Sequence, residues 1–174
     1  MNMKKCDIIN MKNSKIILSS LTILAAFLFS GCWSSKTSDQ SVGQEPKLVV
    51  INVLDASNFD DCHMTGSINI PFEALEDAMK TLNKKDHYVL YCSNYACTAA
   101  PFAAGMMQEA GFEHAAFFPG GIVEWYQKGY PCTGPAQMGY LKEENEPLSE
   151  DDHAEVPMLS VDDLKAEMTA AKMF

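Results

Sequence analysis

The 174-residue chain contains no arginine, so its thirteen cations are all lysines, set against twenty-three Asp and Glu. A planar guanidinium fork that grips phosphate or carboxylate through two parallel bonds is therefore unavailable. A formal net charge of −10 disfavours nucleic acid and anionic membrane surfaces as partners, because both are polyanions. Long apolar runs are also missing. The longest, residues 16–29, falls short of the ~20 residues that a membrane-spanning helix needs. It follows Lys4, Lys5, Lys12 and Lys15 and ends at Ser30, Gly31 and Cys32, the pattern of a signal-peptide apolar segment with small residues at the cleavage point. Residues 1–31 are expected to be an export leader, with Met11 an alternative start.

The LFSGC stretch ending at Cys32 resembles the bacterial lipobox, in which the cysteine is lipidated and becomes the mature N-terminus. The resemblance implies a lipoprotein of the bacterial cell envelope, facing the periplasm or the exterior and touching the membrane through its lipid alone. An ordinary cleaved leader with an incidental cysteine is the other reading. Residues 32–46 are polar and rich in Ser, as a flexible tether would be. Cys6 lies in the leader, which leaves Cys62, Cys92, Cys97 and Cys132 for chemistry in an oxidising compartment.

Four β-branched apolar runs, at residues 47–53, 67–70, 87–91 and 114–118, each suit a buried strand. Between them, Phe72, Leu75, Ala78, Met79 and Leu82 recur at helical spacing behind Pro71. Phe102, Ala103, Met106, Met107 and Ala110 do the same before Gly111. A third helix is expected over 122–128, between the Gly120–Gly121 pair and Gly129. Strands alternating with helices predict an α/β domain with a mostly parallel sheet of four or five strands, flanked by helices on both faces.

Ligands gather at the carboxyl ends of the strands of such a sheet, where loops turn into helix N-termini. Cys92 stands at one of these ends. The loop after it, Ser93, Asn94, Tyr95, Ala96, Cys97 and Thr98, is expected to aim backbone N–H groups at an anion and to lower the Cys92 thiol towards neutrality.

Residues 47–133 resemble a rhodanese domain, the sulfurtransferase family. The likeness rests on VVINVL at 49–54, FDDCHMTGSINIP at 59–71, YCSNYACT at 91–98 and PGGIVEWYQKGYP at 119–131. His63, Gly66, Asn69, Pro71, Gly120, Gly121, Trp125 and Gly129 fall in the family's order. The resemblance implies a single rhodanese-like domain in which Cys92 attacks a sulfane sulfur, carries it as a persulfide and passes it to a nucleophilic acceptor. No cofactor is implied. Its departures are informative: Asn52 and Leu54 replace the Asp and Arg of a frequent Asp-Val-Arg triplet. Cys62 replaces a glycine, Tyr95 a frequent loop glycine and Cys97 a frequent loop arginine. Thiosulfate is thereby a doubtful donor. The related phosphatases need an arginine six residues after the cysteine, where this chain has Thr98, so phosphatase chemistry is excluded.

Cys97 is a candidate resolving thiol, with a helix-start packing residue as the alternative. Cys62, His63, Cys92 and Cys97 match no standard zinc spacing, so no metal is expected, and Cys132 is either a partner for Cys62 or a free thiol. Residues 136–157 are expected to be an acidic linker and 158–174 an amphipathic helix, capped by Ser160 and docked through Val161, Leu164, Met168 and Ala171. The leading function is sulfur transfer from a small sulfur donor to a thiol acceptor, including an exported protein thiol. A Cys92/Cys97 thiol–disulfide relay and a non-catalytic binding module are the alternatives.

Overall fold

The computed structural model describes residues 45–147 and 155–174. The leader, Cys32 and the tether as far as residue 44 lie outside the described residues, as does the acidic stretch 148–154. Four strands, β1 (Leu48–Asn52), β3 (Ile68–Asn69), β4 (His87–Tyr91) and β5 (Ala115–Phe118), form one parallel sheet in the order β3-β1-β4-β5. Each lies within one of the four apolar runs. Parallel strands need crossovers, and these put apolar side chains on both faces. On one face Ile51, Tyr88, Leu90, Ala115 and Phe117 meet α3 (Ala99–Glu109) through Ala103, Ala104 and Met107, and Leu75 of α2 (Leu75–Met79). On the other, Val50, Val89, Tyr91 and Phe118 meet Ile122 and Trp125 of α4 (Gly121–Gln127).

The sequence reading differs from the structure in several places. The helix expected behind Pro71 is a 3-10 turn, Phe72–Ala74, followed by the single short α2, because Lys80 and Thr81 bond back in tight turns to Asp77 and Ala78. A helix that hydrophobic spacing did not reveal, α1 (Ala56–Asp61), is started by Asp55, whose carboxylate accepts the Asn58 N–H at 2.9 Å. A small antiparallel hairpin pairs β2 (His63–Met64) with β6 (Cys132–Thr133).

Residues 136–145, read as the start of a solvated linker, pack instead on the domain. Leu141 is fully buried, and the buried Asp61 carboxylate accepts the N–H groups of Gln137 (2.9 Å) and Met138 (3.0 Å). The C-terminal segment returns to the sheet. Phe117 N–H donates to Pro157 O and Leu159 N–H to Phe117 O, both at 3.0 Å, which extends pairing beyond β5. Helix α5 (Val161–Ala170) follows, capped by the Ser160 hydroxyl, with Val161, Leu164 and Met168 buried against the same face as α4. Burial of each such side chain contributes ~1.5–3 kcal/mol, enough in sum to hold a helix too short to be stable alone.

Candidate active site

β4 is flanked by β1 and β5, and Val89, Leu90 and Tyr91 are buried, so the place where the chain leaves the sheet is rigidly set. The next residue is Cys92, at 1% exposure. Its carbonyl and that of Ser93 accept the N–H groups of Ile122 (3.0 Å) and Val123 (2.9 Å) at the start of α4. Gly121 makes this approach feasible. Its φ is +61°, and a Cβ there would lie 2.5 Å from the Ser93 oxygen and 2.6 Å from the Cys92 oxygen. The second glycine of the pair thus fastens the β4 terminus to α4.

The loop from Ser93 to Thr98 closes on itself, the Cys97 N–H donating to Asn94 O at 3.1 Å, and leads directly into α3. It is braced from outside. The Tyr95 hydroxyl donates to the Glu124 carboxylate at 2.8 Å, and the Tyr95 N–H donates to Asn145 Oδ1 at 3.0 Å. Asn145 Nδ2 donates in turn to Gly120 O at 3.0 Å. The carboxylate pushes the Tyr95 hydroxyl pKa upward, second to burial. Ser93, Asn94, Tyr95 and Cys97 are half-buried, and Ala96 and Thr98 are exposed. Asn94, Tyr95 and Ala96 face Glu144, Asn145 and Glu146 across an open pocket of about 360 Å³.

The Cys92 thiol turns towards the loop that carries Cys97. Cys92 Sγ donates to Cys97 O at 3.2 Å and stands 3.9 Å from Asn94 O, and the two side chains are close enough for each to shift the other's ionisation. Cys97 is the ionised partner, lowered to about 5. The Cys92 thiol is the main cause, followed by the Ala99 and Ser93 N–H groups and the Ser93 hydroxyl, which together outweigh burial. The Cys92 thiol is pushed up, first by the Cys97 side chain beside it, then by burial and by the Cys97 charge; the N–H groups of Ala100 and Asn94 oppose this only in part. The expected lowering at Cys92 is therefore found one turn later. The mutual interaction of the two sulfurs is the first cause, and exposure decides its direction: Cys97 is half-open to solvent at the start of α3, whereas Cys92 is enclosed and faces carbonyl oxygens. One negative charge shared by two sulfurs can deprotonate a nucleophile or attack an electrophilic sulfur.

A profile of the Rhodanese-like domain family matches residues 38–128. The chain belongs to the rhodanese-like family. Its curated relatives include the HTH-type transcriptional regulator Rv0324 of Mycobacterium tuberculosis, 29% identical over 94 residues, which are 54% of this chain and 41% of that protein. Among solved structures it resembles the BH2092 protein from Bacillus halodurans (31% identity, TM-score 0.48, covering 51% of this chain and 65% of that one). It also resembles the Alr3790 protein from Anabaena sp. (30%, TM-score 0.47, covering 52% and 70%). The chain thus spans less than half the length of that curated relative and about two thirds of the Bacillus structure.

Within this rhodanese-like domain the other chemistry-bearing residues separate into distinct places. Cys62 belongs to the opposite face of the sheet from Cys92, and among the described residues no group of three or more His, Cys, Asp or Glu is placed to hold a metal ion. His63 stacks on Phe59 at 3.8 Å, and its Nδ1 lies 2.7 Å from Phe59 O, which fastens the turn into β2. In the place of the family's frequent aspartate, Asn52 uses its amide oxygen to accept the Leu54 N–H at 2.9 Å. Sequence reasoning missed Glu124 and Asn145 as braces of the loop. Glu124 lies within the PGGIVEWYQKGYP stretch, but its partner Tyr95 is 29 residues away; Asn145 lies in an acidic stretch with no local signal.

Proposed function

We propose that this domain is a sulfurtransferase that carries sulfane sulfur as a persulfide on Cys92. The observation that carries the reading is a buried thiol at the C-terminal end of a central strand, 3.2 Å from the backbone oxygen of a second, half-exposed cysteine in the same loop. In the first step the Cys92 proton passes to the Cys97 sulfur only as the new S–S bond forms, because a free Cys92 thiolate is disfavoured. The Cys92 sulfur attacks the outer sulfur of a donor R–S–SH, the donor S–S bond breaks and RS⁻ leaves. In the second step an acceptor thiolate takes the outer sulfur, and the Cys92 thiolate so released recovers its proton from Cys97. Cys97 also serves as a resolving thiol: by attacking the inner sulfur of the persulfide it expels hydrosulfide and closes a disulfide, which two external thiols reduce. The loop from Ser93 to Thr98 frames the entering sulfur. Glu124, Glu144 and Glu146 near the loop, with no arginine in the chain, favour an uncharged or cationic donor over the thiosulfate dianion. The acceptor is a thiol, including one on an exported protein, and we place the domain on the bacterial envelope through lipid on Cys32.

A second reading has specific support. The half-exposed, ionised Cys97 and the buried, protonated Cys92 stand in the order of an attacking and a resolving thiol in a disulfide relay.

The test is peptide mass spectrometry of the full chain after polysulfide treatment, with and without reductant. Cleavage after lysine leaves both sulfurs in peptide 86–128. A reducible gain of one sulfur on Cys92, slower but still reached in Cys97→Ser and lost in Cys92→Ser, is the expected result. Only an internal Cys92–Cys97 disulfide would favour the relay, and an inert pair would leave a binding module.

A further inference from the structure

The hairpin β2–β6 brings together a second pair of cysteines that the sulfur-transfer chemistry does not use. Cys62 closes α1, its N–H donating to Asn58 O, and leads straight into β2; Cys132 opens β6, directly opposite Met64. In an antiparallel pair, residues two apart share a face, so Cys62 and Cys132 are diagonal neighbours on one side of the hairpin. Both pack in the same apolar cluster, Cys62 fully buried and Cys132 half-buried.

The frame around them is tight. Gly134, at φ +114°, lies so close to Asp60 and Asp61 that any Cβ would collide with their carbonyl groups. Ala136 N–H donates to Asp61 O at 2.8 Å, and the Asp61 carboxylate takes the next two N–H groups. At the far end of the hairpin, Thr65 N–H donates to Pro131 O at 3.1 Å and the Thr65 and Thr133 hydroxyls meet at 3.0 Å. The two chain segments are held on both sides of the cysteines, so the sulfurs have little freedom to part. The two thiols are free, and their proximity lowers Cys62 and raises Cys132.

We infer that Cys62 and Cys132 form a disulfide that clasps the β2–β6 hairpin to the end of α1, independently of Cys92 and Cys97. An S–S bond of ~2.05 Å asks the side chains to turn towards each other. β6 is two residues long and carries the more exposed sulfur, so Cys132 is the side that yields. The oxidant is a disulfide, of a small thiol or of a protein. Cys132 attacks it as its own proton passes to the Cys62 thiolate, and the first thiolate leaves. That thiolate takes the proton from Cys62, whose sulfur attacks Cys132 Sγ and expels the second thiolate. One thiolate and one thiol are oxidised to one disulfide, and the oxidant is reduced to one thiol and one thiolate. The closed loop of some 70 residues constrains the unfolded chain far more than the folded one.

The experiment treats the full chain with oxidised glutathione, blocks remaining thiols with iodoacetamide and maps the lysine-cleavage peptides. Cys62 lies in 48–80 and Cys132 in 129–142, separate from the 86–128 peptide of the loop pair. The expected result is a 48–80/129–142 cross-link, reversed by reductant, in both wild type and Cys92→Ser. The thermal midpoint of oxidised Cys92→Ser should exceed that of its reduced form by at least ~5 °C. Alkylation of both residues, glutathione adducts alone, or a cross-link without a change in midpoint would each overturn the clasp. Because the cross-link is read in peptides that lack Cys92, its failure is distinct from a failure of sulfur loading.

Discussion

Replacing Cys92 with alanine tests the shared charge at the loop directly. In the folded protein Cys97 ionises at about 5, and the Cys92 thiol is the first cause; the Ala99 and Ser93 groups remain after the substitution. A hydrogen bond to a charged group is worth ~1.5–3 kcal/mol and one pH unit corresponds to ~1.4, so the midpoint should rise from about 5 to roughly 6–7. At pH 6, Cys97 would then fall from ~90% thiolate to ~10–50%. The assay is the pH dependence of iodoacetamide alkylation at Cys97, located by fragmentation of peptide 86–128. The sign follows from the direction of the shift: reactivity is lost as pH falls through the folded-state value, and the variant loses it at higher pH than wild type. The midpoint is the readout rather than the plateau, because intrinsic nucleophilicity itself declines as a thiol becomes more acidic. Cys92→Ser, which keeps a donor, should lie between the two. A wild-type Cys97 that titrates near the ordinary 9.0, or a midpoint unmoved in Cys92→Ala, would refute the shared charge.

Three further outcomes test how the scaffold holds the site. Gly121→Ala, which forces a Cβ against the Cys92 and Ser93 carbonyls at positive φ, should cost more than ~1–3 kcal/mol in urea unfolding and abolish sulfur loading in whatever fraction still folds. Leu164→Ala should cost ~2–5 kcal/mol in the same unfolding assay; a loss under ~0.5 would mean that α5 does not dock as described. Tyr95→Phe removes the hydroxyl bond to Glu124 and should cost ~0.5–1.5 kcal/mol while speeding amide exchange in the loop at 93–98; unchanged exchange would show that Tyr95 does not brace it.

The sequence by itself determined the strands of the sheet and the place of Cys92. Each strand lies in a compact apolar run, and burial on both faces needs no distant information to be read. The C-terminal helix was equally legible, because Ser160 and the spacing of Val161, Leu164 and Met168 are local signals of a capped amphipathic helix. Local signals stopped where contacts became long-range. Only the tertiary structure decided that Cys97 rather than Cys92 holds the charge, since the distribution depends on which sulfur is enclosed and which carbonyls face it. Folding also brought Cys62 beside Cys132 and joined Tyr95 to Glu124 and Asp61 to the backbone of residues 136–138. Residue types mark where a sulfur can react, but the distances and burial that set its charge exist only after segments far apart in the chain have packed together.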